Sequence, residues 1–194
     1  MYMKKLLAAK GIHYFVSRFG PRRLRSMAFD AKYARGDWGF AGDSLELRDV
    51  VRKLLSSGDL LMLGCGGASL LQDLSPSDYA SVLGVDLSQT AVELAKRFAS
   101  DKVSFQVGDM TAFESQRKFD VILFSESFNY VPAAQQESFL RRLSANLKPS
   151  GLFIVTLAQP ARYHAILEVI RGAFKTLDDR TMSGSTRHLI VFRP

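Results

Sequence analysis

The stretch "LLMLGCGGASLL", Leu60 to Leu71, decides the fold. Its apolar opening does not suit a solvated loop. Gly64, Gly66 and Gly67 would each weaken a helix interior by about 1 kcal/mol relative to alanine. The segment therefore reads as a buried strand that ends in a glycine turn, where something approaches the backbone closely.

Strands and helices alternate outward from this turn. Residues 44–57 show an apolar stripe (Leu45, Leu47, Val50, Val51, Leu54, Leu55) with Ser44 placed to cap a helix. Strands are expected over 59–63, 81–86, 103–107, 119–125 and 151–157. Helices are expected over 88–100, capped by Ser88, over 133–147, stopped by Pro149 and Gly151, and over 161–174. "KTLDDRTM" and "RHLIVFR", joined by "SGST", read as a closing hairpin. Alternation of this kind gives an α/β fold with a mostly parallel sheet and helices on both faces. In such sheets ligands bind at the carboxyl ends of the strands, where the glycine turn lies.

With 194 residues, 47% of them hydrophobic, the chain can build one sizeable core. It has no apolar run of the ~20 residues that a spanning helix needs. Cys65 is the single cysteine, so an internal disulfide and a cysteine-based zinc site are excluded. The three histidines lack metal-ligand spacing, and no metal is expected. The net charge of +7 is uneven: residues 1–35 hold nine Lys/Arg and one acid, against 17 basic and 18 acidic residues in the remainder. We therefore divide the chain into a basic helical extension with an aromatic loop, 1–43, and a main domain, 44–194. The extension opens with a basic amphipathic pattern that ends at Gly20-Pro21. Its "LLAA" core is broken by Lys10 and His13 and does not read as a signal peptide. The pattern suits packing on the domain, a dimer mate or an anionic membrane surface. The expected location is the cytoplasm, with this helix as the candidate membrane contact.

The glycine turn and Asp86, at the end of the second strand, point to an adenosine-type ligand, because a carboxylate there can accept from ribose hydroxyls. Ser69 stands where a dinucleotide fingerprint would place its last glycine. Taken together, "LLMLGCGGA", "VLGVDLSQTAVELAKR", "VSFQVGDMTAF", "FDVILFSESFNYV" and "FLRRLSANLKPSGLFIVT" resemble, in order and spacing, the motifs of the class I S-adenosylmethionine-dependent methyltransferases. The resemblance covers residues 44–157, and the hairpin fits the family's last two strands. It implies a Rossmann-like, seven-stranded sheet and S-adenosylmethionine as methyl donor, with S-adenosylhomocysteine as product. The implied cofactor residues are Gly64, Cys65, Gly66, Gly67, Asp86, Leu87, Asp109, Met110 and Ser125, with Asp109 at the adenine amino group and Met110 against the ring. Two positions depart from the pattern: Met62 where the family usually has an acid, and Ala68 where it usually has glycine.

Methyl transfer from a sulfonium is an in-line displacement that gains chiefly from alignment, so catalytic side chains are hard to read. Glu126 and His164 are the candidates for a base. Ser127, Asn129 and Tyr130, after the fourth strand, together with Tyr33 and Trp38 from the glycine-hinged loop 33–44, are the candidates for acceptor binding. His13 and His188 read as structural. Without a sizeable insertion, the expected acceptor is a small molecule, methylated on O or N. Three other readings stand beside this one: a nucleic-acid methyltransferase, supported by the basic extension alone; a non-catalytic adapter that keeps the fold; and a nicotinamide oxidoreductase, against which Ser69 argues.

Overall fold

A computed structural model describes residues 15–17, 20–37 and 45–194. The chain enters through helix α1 (Arg22–Ala34) and α2 (Leu45–Leu55). It continues through β1 (Asp59–Leu63), β2 (Ser81–Asp86), α3 (Gln89–Ala95), β3 (Val103–Val107) and β4 (Phe119–Ser125). It closes with α4 (Gln136–Ser144), β5 (Leu147–Leu157), α5 (His164–Ala173), β6 (Lys175–Thr181) and β7 (His188–Arg193). The seven strands form one sheet in the order β3-β2-β1-β4-β5-β7-β6. β1 to β5 run parallel, while β7 is antiparallel to both β5 and β6.

The strand sequences explain the layering. Alternate residues of a strand face opposite sides of a sheet, and both sides of β1 and β4 are apolar. Leu61, Leu63, Ile122 and Phe124 enter one core cluster with Phe139, Leu143, Ile166 and Ile170 of α4 and α5. Leu60, Met62, Val121 and Leu123 enter the other, with Leu47, Val51 and Leu55 of α2. Strands that are apolar on both faces belong at the centre of a parallel sheet. The sheet order reverses between β1 and β4, with Leu61 beside Leu83 on one side and Ile122 on the other. The crevice at that reversal is where a ligand fits.

Several expected boundaries move. The helix expected over 88–100 ends at Ala95 and tightens into a 3₁₀ turn, Lys96–Phe98; Ser88 caps it as expected, its hydroxyl accepting from Ala91 N. The segment 133–147 opens with a 3₁₀ turn, Ala133–Gln135, and its α-helix stops at Ser144. β5 starts at Leu147, four residues earlier than expected, because Leu147 pairs with Phe119 across a register shift in β4. The expected cap Ser44, His13 and Trp38 lie outside the described residues. So does most of the basic amphipathic segment, of which residues 15–17 are helical and Gly20 N donates to Val16 O at 2.9 Å.

The largest departure is α1, which the sequence reading did not separate from the extension. It buries Ala28, Ala31 and Lys32. Asp30 fastens it to the start of α3 by accepting from Ser88 Oγ at 2.6 Å and Thr90 N at 3.0 Å. A carboxylate at a helix N-terminus also meets the positive end of the helix dipole. No helix among the described residues is long and apolar enough to cross a membrane.

Candidate active site

A cavity of about 440 Å³ opens at the carboxyl ends of β1, β2 and β4, within the size range of small-molecule and cofactor sites. Its floor is the turn after β1. Gly64 N and Cys65 N both donate to Val85 O, at 2.8 and 3.0 Å, which folds the turn back onto β2. Gly64 has φ +70 and Gly66 φ +55, the left-handed region that glycine enters without strain. Close approach adds a second requirement. A Cβ on Gly64 would overlap Ser127, and one on Gly66 would lie 2.6 Å from the Tyr33 hydroxyl. Protein groups thus enforce these two glycines. Gly67 differs: among the described residues its added Cβ would meet only Leu94, at 3.7 Å.

Asp86, at the end of β2, is the electrostatic centre of this floor. It is buried, and its two carboxylate oxygens accept from Gly66 N at 2.9 Å and Ser88 N at 2.8 Å. Desolvation pushes its carboxyl up to about 6, although the Ser88 and Gly66 N–H groups pull it back down. A carboxylate has about four acceptor sites, so capacity remains for further donors. Tyr33 and Cys65 stand close by. Burial and the Asp86 charge push both the phenol and the thiol upward, which keeps them protonated and unreactive at neutral pH.

The other expected residues are placed as follows. Leu87, Met110 and Ser125 line the cavity. Asp109 lines it too, and is already engaged: Oδ1 accepts from Thr111 N at 3.0 Å and Thr111 Oγ1 at 2.8 Å, while Oδ2 pairs with Arg25 of α1. Ser127 donates to Leu63 O at 2.5 Å and is buried against Gly64, so it braces the turn. Asn129 reaches the Tyr163 hydroxyl at 3.4 Å, and Tyr130 meets Phe29 edge-on, with ring centroids 5.0 Å apart. Glu126 lines the cavity in a left-handed conformation, φ +55. Its Oε2 accepts from Ala158 N, which joins the ends of β4 and β5, and its Oε1 lies 3.7 Å from Arg187 Nε.

His164 is not brought to the site. It sits at the start of α5, outside the cavity wall, with 69% of its side chain exposed and Nε2 3.5 Å from Glu168. A side chain in the first turn of that helix points back along the helix surface, and here it finds an (i, i+4) acid. His188, expected to be structural, bonds to Asp179 at 2.6 Å. Among the described residues, no group of His, Cys, Asp and Glu could hold a metal.

Arg25, Phe29, Tyr163 and Arg187 line the cavity without having been picked out from the sequence. Arg25, Phe29 and Tyr33 are spaced by four and so share one face of α1. That periodicity was available in the sequence, although the five charged residues in "RRLRSMAFDAK" preceding Tyr33 obscured it. Arg187 follows a short turn and carried no local signal.

Comparison with known proteins agrees with this geometry. Residues 60–151 match a family model described as a methyltransferase domain. The chain is 27% identical over 135 residues to a 2-heptyl-1-hydroxyquinolin-4(1H)-one methyltransferase of Mycobacteroides abscessus, covering 67% of this chain and 59% of that protein. It is 35% identical over 109 residues to a ubiquinone biosynthesis O-methyltransferase of Pelagibacter ubique, covering 54% of this chain and 44% of that one. The chain thus spans about half the length of the curated relatives it matches. The fold superposes on the N-methyltransferase NodS of Bradyrhizobium japonicum, solved with S-adenosylhomocysteine, with a TM-score of 0.72 at 18% identity, over 87% of this chain and 97% of that one. Strand order and the placing of the five motifs around one cavity give the chain the fold of the class I S-adenosylmethionine-dependent methyltransferases, and residues 60–151 match a methyltransferase domain.

Proposed function

We propose that the protein transfers the methyl group of S-adenosylmethionine to a hydroxyl-type oxygen on a small aromatic acceptor. One observation carries this reading: the cavity has two chemically different halves. Toward β2 and β3 it presents Asp86 and Asp109, which suit the ribose hydroxyls and the adenine amino group. Toward β4 and α5 it presents Phe29, Tyr130 and Tyr163, which suit a flat apolar ring.

The residues fit the donor on two counts. Asp86 keeps acceptor capacity after its backbone bonds, and among the described residues Gly67 faces no group closer than Leu94. Met62 lines the cavity where an acid is usual, so the methionine end is held without a charge from β1. When bound, the donor supplies an electrophilic methyl on a sulfonium. Everything else falls to the chain. The Gly64–Gly67 turn and Asp86 fix the donor's position. Ser127 holds that turn rigid, and the aromatic side chains orient the acceptor and exclude water. Orientation of this kind can supply several kcal/mol of the barrier reduction. The similarity to ubiquinone biosynthesis O-methyltransferases supports oxygen as the acceptor atom, and the similarity to a hydroxyquinolone methyltransferase supports a small aromatic acceptor.

The test is calorimetric titration with S-adenosylhomocysteine, then transfer of a labelled methyl group to a panel of phenols and arylamines. Micromolar binding and labelled phenol ethers are expected. Binding followed by labelling of amines only would move the acceptor atom to nitrogen. Absence of binding would favour a non-catalytic adapter.

A further inference from the structure

We infer that the acceptor is held in this cavity as its oxyanion, with Arg187 as the counter-charge and Glu126 as the residue that positions Arg187. This rests on the proposed transfer to oxygen and goes beyond it, because it fixes the protonation state of the acceptor and names the group responsible.

A neutral phenol is a poor nucleophile, so a site acting on one needs a base or a way to bind the anion. Among the described residues the cavity wall contains no histidine and no lysine. Its carboxylates are engaged: Asp86 with backbone N–H groups, Asp109 with Arg25 and Thr111, and Glu126 with Ala158 N. Tyr33 and Cys65 stay protonated at neutral pH, since burial pushes both upward. Protonating Glu126 would weaken the joint between β4 and β5 that its Oε2 makes.

Arg187 supplies the alternative. It lies in the turn just before β7, whose first residue, His188, stands opposite Leu157 at the end of β5. Its backbone is pinned on both sides: its carbonyl accepts from Met182 N at 2.8 Å, and its N–H donates to Ser185 Oγ at 3.0 Å. The side chain is 23% exposed and lines the cavity beside Glu126, at the end of β4. Glu126 approaches its Nε at 3.7 Å and is itself anchored by Ala158 N. A guanidinium cannot lose its proton in a protein and offers five donors in a plane. Held against one carboxylate in a partly desolvated wall, it remains a fixed cation able to receive a second oxyanion. An opposite charge within about 4–6 Å favours ionisation by tenfold or more. Selection of the ionised acceptor then does the work that a base would do elsewhere.

The probe is 4-nitrophenol, whose phenolate absorbs visible light and whose ionisation can be read while it is bound. Protein saturated with S-adenosylhomocysteine is titrated with 4-nitrophenol across pH. In the wild type, the bound probe should favour phenolate over phenol about tenfold more than free probe does. Arg187→Gln should abolish that preference, Arg187→Lys should restore part of it, and both variants should bind S-adenosylhomocysteine as the wild type does. Glu126→Gln should weaken the preference without removing it. Ionisation of the bound probe identical to that in solution would overturn the inference. So would an unchanged preference in Arg187→Gln, or failure of the loaded wild type to bind the probe. Failure of the wild type to bind S-adenosylhomocysteine would instead bring down the proposed function on which the inference rests.

Discussion

The two rims of the sheet use the same residue types for opposite ends. At the amino rim, Asp59 and Asp120 share Lys148, whose Nζ lies 2.8 and 2.7 Å from their carboxylates. Desolvation acts against Asp59, yet the bonds from Lys148 and Ser81 hold its carboxyl below the ordinary range. At the carboxyl rim, Asp86 has no such cation among the described residues. It is buried among backbone N–H groups and stands well above that range, at about 6. The pH signs are therefore opposite. Asp59 contributes stability above the ordinary carboxylate range, and that contribution is lost as pH falls through its lowered value. Asp86 opposes folding increasingly as pH rises from about 4 to about 6, by roughly 3 kcal/mol in total. One rim is arranged for stability and the other for a ligand, and the second bears a cost that ligand binding can offset.

The sharpest way to break this contrast is at the turn that carries the second rim. Gly64→Ala combines a left-handed φ with overlap on Ser127, and should cost about 2–4 kcal/mol in denaturant melts. Gly64→Ala unfolding at the wild-type denaturant midpoint would mean that Ser127 does not brace the turn. Asp86→Ala should weaken S-adenosylhomocysteine binding by tenfold or more, about 1.4 kcal/mol, and lose little stability at neutral pH, because it also removes a buried charge. Lys148→Ala should do the reverse. It should cost about 1 kcal/mol of stability, the upper end for a part-exposed ion pair, and leave the binding isotherm unchanged. Gly67→Ala should have the smallest effect on folding, within about 0.5 kcal/mol, since among the described residues only Leu94 is near. A loss of S-adenosylhomocysteine affinity in that variant would show that the ligand, rather than the protein, requires a glycine there.

Most of the fold was legible because its strands are apolar on both faces and glycine ends the first of them. Asp86 was legible because it closes a strand at the right distance from that turn. Asp109 was legible as a position, but not its pairing with Arg25, 84 residues away, which no local pattern encodes. Helix α1 was missed because its buried face consists of Ala28, Ala31 and Lys32, small or charged residues that leave a weak apolar stripe. Glu126 was read as a candidate base. The structure shows it accepting from Ala158 N, a bond between residues 32 apart that only the pairing of β4 with β5 creates. Ala68, in place of the usual glycine, takes the left-handed conformation at φ +54 and is fully buried. Its methyl thus joins the core beside Leu70 and Leu71.

The central claim is that an elevated, buried Asp86 carboxylate is the group that receives the donor's ribose. Calorimetric titration of the wild type with S-adenosylhomocysteine between pH 5 and pH 8 tests it most directly. The account predicts constant affinity above about pH 7 and a fall that approaches tenfold per pH unit well below pH 6. It also predicts proton release on binding near pH 6, and loss of both effects in Asp86→Asn. Tight binding that is independent of pH across this range, or an Asp86→Asn variant with the wild-type profile, would contradict it.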